Sequence, residues 1–314
     1  MLTVCGWDAP FPPGPPAYAA FGVFDGVHLG HRKVLGDLVA WAGREGGRAV
    51  VVTFHRHPHS VISGRRPPFL TALRHRLELF SEIGVDVCVV LTFDETLAAM
   101  EPEHFARDLL AGWLNVRGVI VGYDQRFGKD GRGDASLMRR LGRDLGFEVR
   151  QEPPFHLEDR IVSSTAIREA VKRGDLREAS AMLGRPVSVL GRVVHGQGKG
   201  HDLGCPTANL DFHHEIHLPE GVYVGHALCC GRKYGAVINI GRRPSFGAHG
   251  PAYIDKEPVV EAHLFGFKGD LYGKDMEVRF LEKLRDEKRF GDAEGLREQL
   301  KRDMRHARER LAQG

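Results

Sequence analysis

Cysteine is scarce and unpatterned in this chain. Five residues are scattered over 314 positions, and none forms a CxxC pair. An odd, dispersed set excludes a disulfide framework and a cysteine-built zinc site, and fits thiols kept reduced in a cytoplasm. No run of about 18 apolar residues occurs, so no segment is expected to span a bilayer. Charge of one sign is also lacking. Lys+Arg 44 against Asp+Glu 41 leaves a formal net charge of +3. With no basic block, no nucleic-acid partner is indicated. The opening stretch MLTVCGWDAPFPPGPP has a proline cluster and no charged region leading into an apolar core, so it is not expected to be a secretory leader. The length suits two domains, no internal repeat is present, and nothing in the pattern sets an oligomeric state.

What the chain does have is FDGVHLGHRKVL, Phe24 to Leu35. It follows AYAAFGVF, an uncharged run that reads as a buried strand. It leads into a segment where Val34, Leu35, Leu38, Val39 and Ala42 share one helical face. AVVVTF (Ala49 to Phe54) is the next strand, completing a βαβ unit whose turn lies at the ligand-binding edge of such sheets. Gly22, Gly26 and Gly30 allow close backbone approach. His28 and His31 sit beside a helix N-terminus, whose free N–H groups favour anions. A histidine there can be a simple cap. Two in HLGH, between strand and helix, point to stabilising the charge on a triphosphate during nucleotidyl transfer.

Further strands are expected in VDVCVVLTF, RGVIVG and FEVR, with helices over Leu73 to Ile83, Thr96 to Leu114 (in two pieces) and Ser136 to Leu145. Two loops fall on the same edge as the histidines. One is HRHPHSVISGRRPPFL, where His55, His57 and His59 alternate. No carboxylate or cysteine joins them at ligand spacing, so a substrate-lining loop is preferred over a metal site. The other is YDQRFGKDGRGD, rich in glycine. In RIVSSTAIREAVKRGD, Ser163 to Thr165 are good N-cap residues and Arg168 lies one turn beyond Ser164. Hydroxyls, free N–H groups and a guanidinium together suit a phosphate.

Near Gly184 the texture changes to short alternating runs: VSVLGRVVHG, GVYVGHALCC, YGAVINIG, PVVEAHLFGF and MEVRFLEKLR. Five such strands with glycine turns indicate an antiparallel barrel or sandwich, closed by a helix over Leu296 to Leu311. Alternation would aim Cys229 and Cys230 at opposite faces. HGQGKGHDLGCPTANLD carries Gly196, Gly198, Gly200 and Gly204, able to present N–H groups to phosphate, though not at P-loop spacing. Thr207 and Asn209 flank Ala208 in what reads as an irregular turn. They are neutral oxygen donors suited to Mg²⁺ held mainly by ATP phosphates. Glu261 is a lone acid in an apolar strand, either solvent-facing or a base for a hydroxyl proton.

These strings, taken in order, resemble the bifunctional riboflavin kinases/FAD synthetases of bacteria. GVFDGVHLGH looks like the HxGH signature of that nucleotidyltransferase branch, and SSTAIR like its ISSTxIR motif with Val162 for isoleucine. GKGHDLGCPTANL, NIGRRPSF, VEAHLF, GDLYGK and LRDEKRF follow in the family's order, so the match runs from roughly Phe21 to Asp303. The resemblance implies an α/β plus β chain. Residues 1–184 would form a Rossmann-like nucleotidyltransferase domain with a parallel sheet, adenylylating FMN. Residues 185–314 would form a six-stranded antiparallel β-barrel with a closing helix, phosphorylating riboflavin. It implies ATP as co-substrate, Mg²⁺, and small-molecule partners only. It assigns catalysis to His28, His31, Arg168 and Glu261. Nucleotide or flavin binding goes to Gly22, Asp25, Asp124, Ser164, Thr165, Gly196, Gly198, Gly200, Asn209 and Arg285, and metal binding to Thr207 and Asn209.

The chain departs from the family pattern in places. Gln125 stands where an aromatic residue is usual and Tyr123 where an acid is common, which leaves CTP or a modified flavin open. Lys199, His201, Cys205 and Ser245 replace family residues but keep a donor or an apolar filler. A flavin-binding regulator that lost one chemistry is the reading from another class. Survival of both motif sets argues against it.

Overall fold

The computed structural model describes residues 1–62, 68–196, 206–212, 218–242, 258–288, 290 and 292–313. Two compact units emerge from its backbone contacts: Met1–Phe69 with Leu73–Ser164, and Leu70–Ala72 with Thr165–Gly314.

The first unit is built on strands β1 Leu2–Cys5, β2 Ala17–Phe21, β3 Arg48–Phe54, β4 Val87–Leu91, β5 Val116–Val121 and β6 Glu148–Gln151. They form one sheet in the order β1-β4-β3-β2-β5-β6, with every pair parallel. All five residues of β2 are buried because both of its faces are covered. Ala17, Ala19 and Phe21 join one core, and Tyr18 and Ala20 the other. That is the two-residue period of a strand buried on both sides.

Helix α1, Leu29–Arg44, lies on the second core through Leu35, Leu38, Trp41 and Ala42, with the expected Val34 and Val39 half-buried at its margin. Each fully buried side chain of this size contributes roughly 1.5–3 kcal/mol. The opposite face is covered by a π-helical segment, Phe105–Trp113, and by the helix Ala135–Leu145.

Strand β1 was not anticipated. Its four residues are mostly exposed at the sheet edge and carry no buried run to signal them. A two-strand ribbon, β7 His156–Leu157 with β8 Arg160–Ile161, was equally silent in sequence.

Connections from β2 run through α1 to β3 on one side, whereas β5 pairs with β2 on the other. Chain direction across the sheet therefore reverses between β2 and β5, which opens a crevice at their carboxyl ends. The loops after β2 and after β5 flank it.

In the second unit the helix Leu176–Leu183 is capped by Asp175, which accepts from the Glu178 N–H, and ends on the left-handed Gly184. It packs on the first barrel strand. Strands β9 Val187–Val194, β10 Ala208–Asp211, β11 Gly221–Cys229, β12 Arg232–Arg242, β13 Pro258–Leu264 and β14 Asp275–Arg285 close into an antiparallel barrel, β10-β13-β12-β11-β14-β9. Tyr223, Ile238, Val260, Ala262, Met276 and Phe280 are buried in its wall.

The C-terminal helix, Ala293–Ala312, covers Val222, Val224 and Val237 with Ala307, Met304 and Leu311. It is anchored by Asp303, 2% exposed, whose carboxylate takes three contacts from the Arg285 guanidinium at 2.7–3.1 Å.

PTAN, expected as a turn, instead leads into β10, the second barrel strand, so Asn209 sits in a ladder and not in a loop. Strand alternation was also the wrong guide for Cys230, which takes a left-handed φ of 51° in the β11–β12 turn.

Gly118 of β5 shows how tightly the first unit is filled. A Cβ there would sit 2.2 Å from the Trp41 ring and 2.8 Å from Tyr18. Gly118→Ala is expected to destabilise the protein by about 1–3 kcal/mol through overpacking, read as a lower urea midpoint in tryptophan fluorescence.

Candidate functional sites

Two constellations are present, one in each unit. In the first unit the loop after β2 is strained. Phe24, Gly26 and Val27 have φ of 50°, 84° and 40°. For a β-branched residue such a φ costs roughly 1–2 kcal/mol, so the surroundings must enforce it. Val27 is fully buried and its N–H donates to the Phe24 carbonyl. The Phe24 ring packs edge-on against Phe80 and His31.

His28 then caps α1, its Nδ1 accepting from the His31 N–H at 3.3 Å. An accepting Nδ1 places the proton of the neutral ring on Nε2, making that nitrogen a donor. The His28 and His31 rings stack at 3.6 Å and 20°. Gly30 permits this, since a Cβ there would meet the His28 ring at 3.2 Å. His28 is thus both cap and candidate ligand group, two readings that sequence treats as alternatives.

Asp25, 2% exposed, lends its backbone carbonyl to the Ser164 hydroxyl at 2.8 Å. This brings the SSTAIR segment's first residue to the histidine loop. Thr165 and Arg168 follow on the same helix, Ser164–Arg173, and belong to the second unit. Gln125 reaches Gly22, its Oε1 lying 3.7 Å from where a Cβ at Gly22 would be. The loops after β2 and β5 therefore meet across the crevice. Within the latter loop Phe127 is buried against Phe21 and Phe105, while Tyr123 and Asp124 are exposed. Although Tyr123 is 41% exposed, desolvation of its covered part, then the neighbouring Asp124, raises its phenol above the usual range. His57 and His59 pack their rings 5.2 Å apart, with Phe69 beside His57. Among the described residues no group of three His, Cys, Asp or Glu could hold a metal.

Sequence reasoning missed Arg76. It lies on the helix Leu73–Ile83 and is fully buried. Its guanidinium donates to the Val23 carbonyl at 2.5 Å, Thr53 Oγ1 at 2.9 Å and the Phe54 carbonyl at 3.0 Å. Burial brings its pKa down to about 10, opposed by the Asp25 carboxylate, so the group stays cationic at neutral pH. The signal was a charge inside an apolar stripe, three residues after Leu73 and four before Phe80.

In the barrel, register assembles the second constellation. Glu261 of β13 pairs with Asn209 of β10 on one side and Asn239 of β12 on the other. The row continues through Val222 of β11 to Arg285 of β14. Cross-strand partners share a face of the wall. Val260 and Ala262 face the barrel interior, so Glu261 faces outward. Gly196 crosses over Asn209; a Cβ there would fall 2.1 Å from the amide nitrogen. Thr207, just before β10, lines a cavity of about 170 Å³ with Val193, Phe267, Asp270 and Tyr272. The His195 ring stacks on Tyr272 at 3.7 Å. Arg285 is held by Asp303. Gly198 and Gly200, with Lys199, His201, Cys205 and Ser245, lie outside the described residues.

Two family models cover the chain in sequence order: FAD synthetase over residues 13–166 and riboflavin kinase over residues 183–311. The bifunctional riboflavin kinase/FMN adenylyltransferase of Escherichia coli is 36% identical over 290 residues, 92% of this chain and 90% of that protein. Its Bacillus subtilis counterpart is 34% identical over 293 residues, 92% and 90% of the two chains. The chain belongs to this bifunctional family. A crystal structure of a macrolide-efflux protein from Streptococcus pneumoniae shares 27% identity at a TM-score of 0.83, covering 98% of this chain and 99% of that one. What that likeness carries is the fold across both units. Among the described residues no helix is long and apolar enough to cross a membrane.

Replacing Arg76 tests how the first site is held. Arg76→Met takes the guanidinium from the Phe54 carbonyl and leaves the Val23 carbonyl with only the Thr53 hydroxyl, and should cost about 1–3 kcal/mol for an orphaned buried group. Arg76→Lys should recover part of that loss in the same urea titration.

Proposed function

We propose that the protein converts riboflavin to FMN in its barrel and FMN to FAD in its sheet unit, using ATP for both, with the module boundary near Gly184. Two separate constellations in one chain carry this reading, each inside its matched segment. They are the stacked His28–His31 pair at a strained helix N-terminus and the Asn209–Glu261 pair in the barrel wall.

In the barrel, Glu261 accepts the proton of the riboflavin 5′-hydroxyl as its oxygen attacks the γ-phosphorus of ATP and ADP leaves. Gly196 and its neighbours offer backbone N–H groups to the phosphates. Thr207 and Asn209 contribute neutral, hard oxygens beside the Glu261 carboxylate, a set that fits Mg²⁺ held chiefly by nucleotide phosphates and not by an all-protein cage. Bound there, Mg²⁺ would neutralise charge on the phosphate oxygens.

In the sheet unit, an FMN phosphate oxygen attacks the α-phosphorus of ATP and pyrophosphate leaves. That nucleophile is already anionic at neutral pH, so stabilisation of the developing charge matters more than a base. His28 Nε2–H, His31, the α1 N-terminus and Ser164 supply it, with Asp124 and Gln125 beside the nucleotide. The scattered cysteines suit a reducing cytoplasm.

Product analysis after incubation with riboflavin, ATP and Mg²⁺ should show FMN, then FAD; formation of neither would refute the assignment. Glu261→Gln should lower riboflavin phosphorylation by about 10²–10⁴-fold and leave conversion of supplied FMN intact. His31→Ala should lower FAD formation by about 10²–10³-fold, so that FMN accumulates from riboflavin. Either change silencing both reactions in a folded protein would sink the two-site scheme.

Donor choice is a separate measurement. With FMN supplied, ATP should outcompete CTP despite Gln125 and Tyr123, and a predominantly cytidylylated flavin would contradict the assignment.

A further inference from the structure

Glu261 has an amide on each side. The Asn209 side belongs to the PTAN segment, but nothing in the motif reading gave Asn239 a task. It stands on β12, directly opposite Glu261, and is half-buried. No hydrogen bond engages its side chain among the described residues. The next outward position along the strand is Gly241. A Cβ there would lie 2.7 Å from the Glu287 carboxylate and 3.4 Å from the Asn239 amide nitrogen. Glycine therefore leaves this ground to the Glu287 carboxylate, a second acid on the side of the amide away from Glu261.

An unengaged amide next to the Glu261 carboxylate, on the outer face of a barrel wall whose inner face is apolar, is placed for a polar ligand. A hydroxyl group fits it chemically. The amide N–H donates to the alcohol oxygen while the hydroxyl's own proton points at the carboxylate.

We propose that Asn239 is a substrate-positioning residue of the phosphorylation site, binding the attacking hydroxyl oxygen beside Glu261. This rests on the assignment of Glu261 as the proton acceptor. The O–H bond of the alcohol breaks and its proton passes to the Glu261 carboxylate. The same oxygen bonds to the γ-phosphorus of ATP, and ADP departs with the electron pair of the broken P–O bond. Asn239 transfers nothing. It selects the rotamer of the hydroxyl from which the proton can leave.

Steady-state phosphorylation of riboflavin by the full chain, from pH 5 to 9, tests this with Asn239→Ala, Asn239→Asp and Glu261→Gln in parallel. A circular dichroism melt of each variant verifies folding. Asn239→Ala should lower kcat/KM for riboflavin by about 10–100-fold, the worth of a hydrogen bond to a group gaining charge, with KM for ATP unchanged. Asn239→Asp is nearly isosteric, so it tests the donor without opening a cavity. Its carboxylate makes the adjacent acid harder to ionise, so the acid limb of the pH profile should move to higher pH. A merely structural residue would not confine the loss in Asn239→Ala to the riboflavin terms while KM for ATP stays unchanged. Activity of both Asn239 variants within twofold of wild type, with Glu261→Gln defective, overturns this inference alone. A fully active Glu261→Gln overturns the assignment of the base, and this inference with it.

Discussion

A single buried guanidinium holds the first site in shape. Arg76 bonds the carbonyls of Val23 and Phe54, where adjacent parallel strands run out into their loops. Peptide groups at the end of a sheet lose their ladder partners, and one left buried without a substitute costs about 1–3 kcal/mol. By supplying those partners from a neighbouring helix, the arginine lets the chain turn sharply at Phe24 and take left-handed conformations at Gly26 and Val27. The His28 cap and the His28–His31 stack follow from that turn. Asp25 balances the buried cation electrostatically and accepts Ser164 through its carbonyl.

The second site depends on ladder register. A closed barrel leaves no free edge, so each strand's alternation is locked to its neighbours'. Asn209, Glu261, Asn239 and Arg285 come from four strands, and one row of cross-strand partners contains them all. A one-residue slip of β13 would turn Glu261 into the apolar interior and an alanine or valine outward. Apolar burial of Val260 and Ala262 thus aims the carboxylate.

In the proposed scheme the two candidate sites solve different electrostatic problems. An alcohol must lose a proton while it attacks, so the barrel offers a carboxylate between amides. A phosphate monoester needs no base, so the sheet unit offers N–H groups, imidazoles and a helix terminus. The barrel arrangement would serve the other reaction poorly, because a carboxylate beside an anionic nucleophile repels it.

Local sequence determined a good deal. Period-two and period-3.6 patterns placed α1, β2 to β5 and five barrel strands. The run HLGH between strand and helix pointed to the candidate site of the first unit, and the alternating runs after Gly184 anticipated the barrel strands. Those features depend on neighbours in the chain, so the chain displays them. Tertiary structure alone decided the rest. β1 exists because β4 offers an edge, and β10 is a strand because β9 and β13 flank it. Arg76 looks like one more helical charge until its three acceptors arrive from residues 22 to 53 positions away. Asn239 is an ordinary strand asparagine until the register sets it beside Glu261. Pairings across such distances are fixed by packing and ladder geometry, which leave no periodic trace in the sequence.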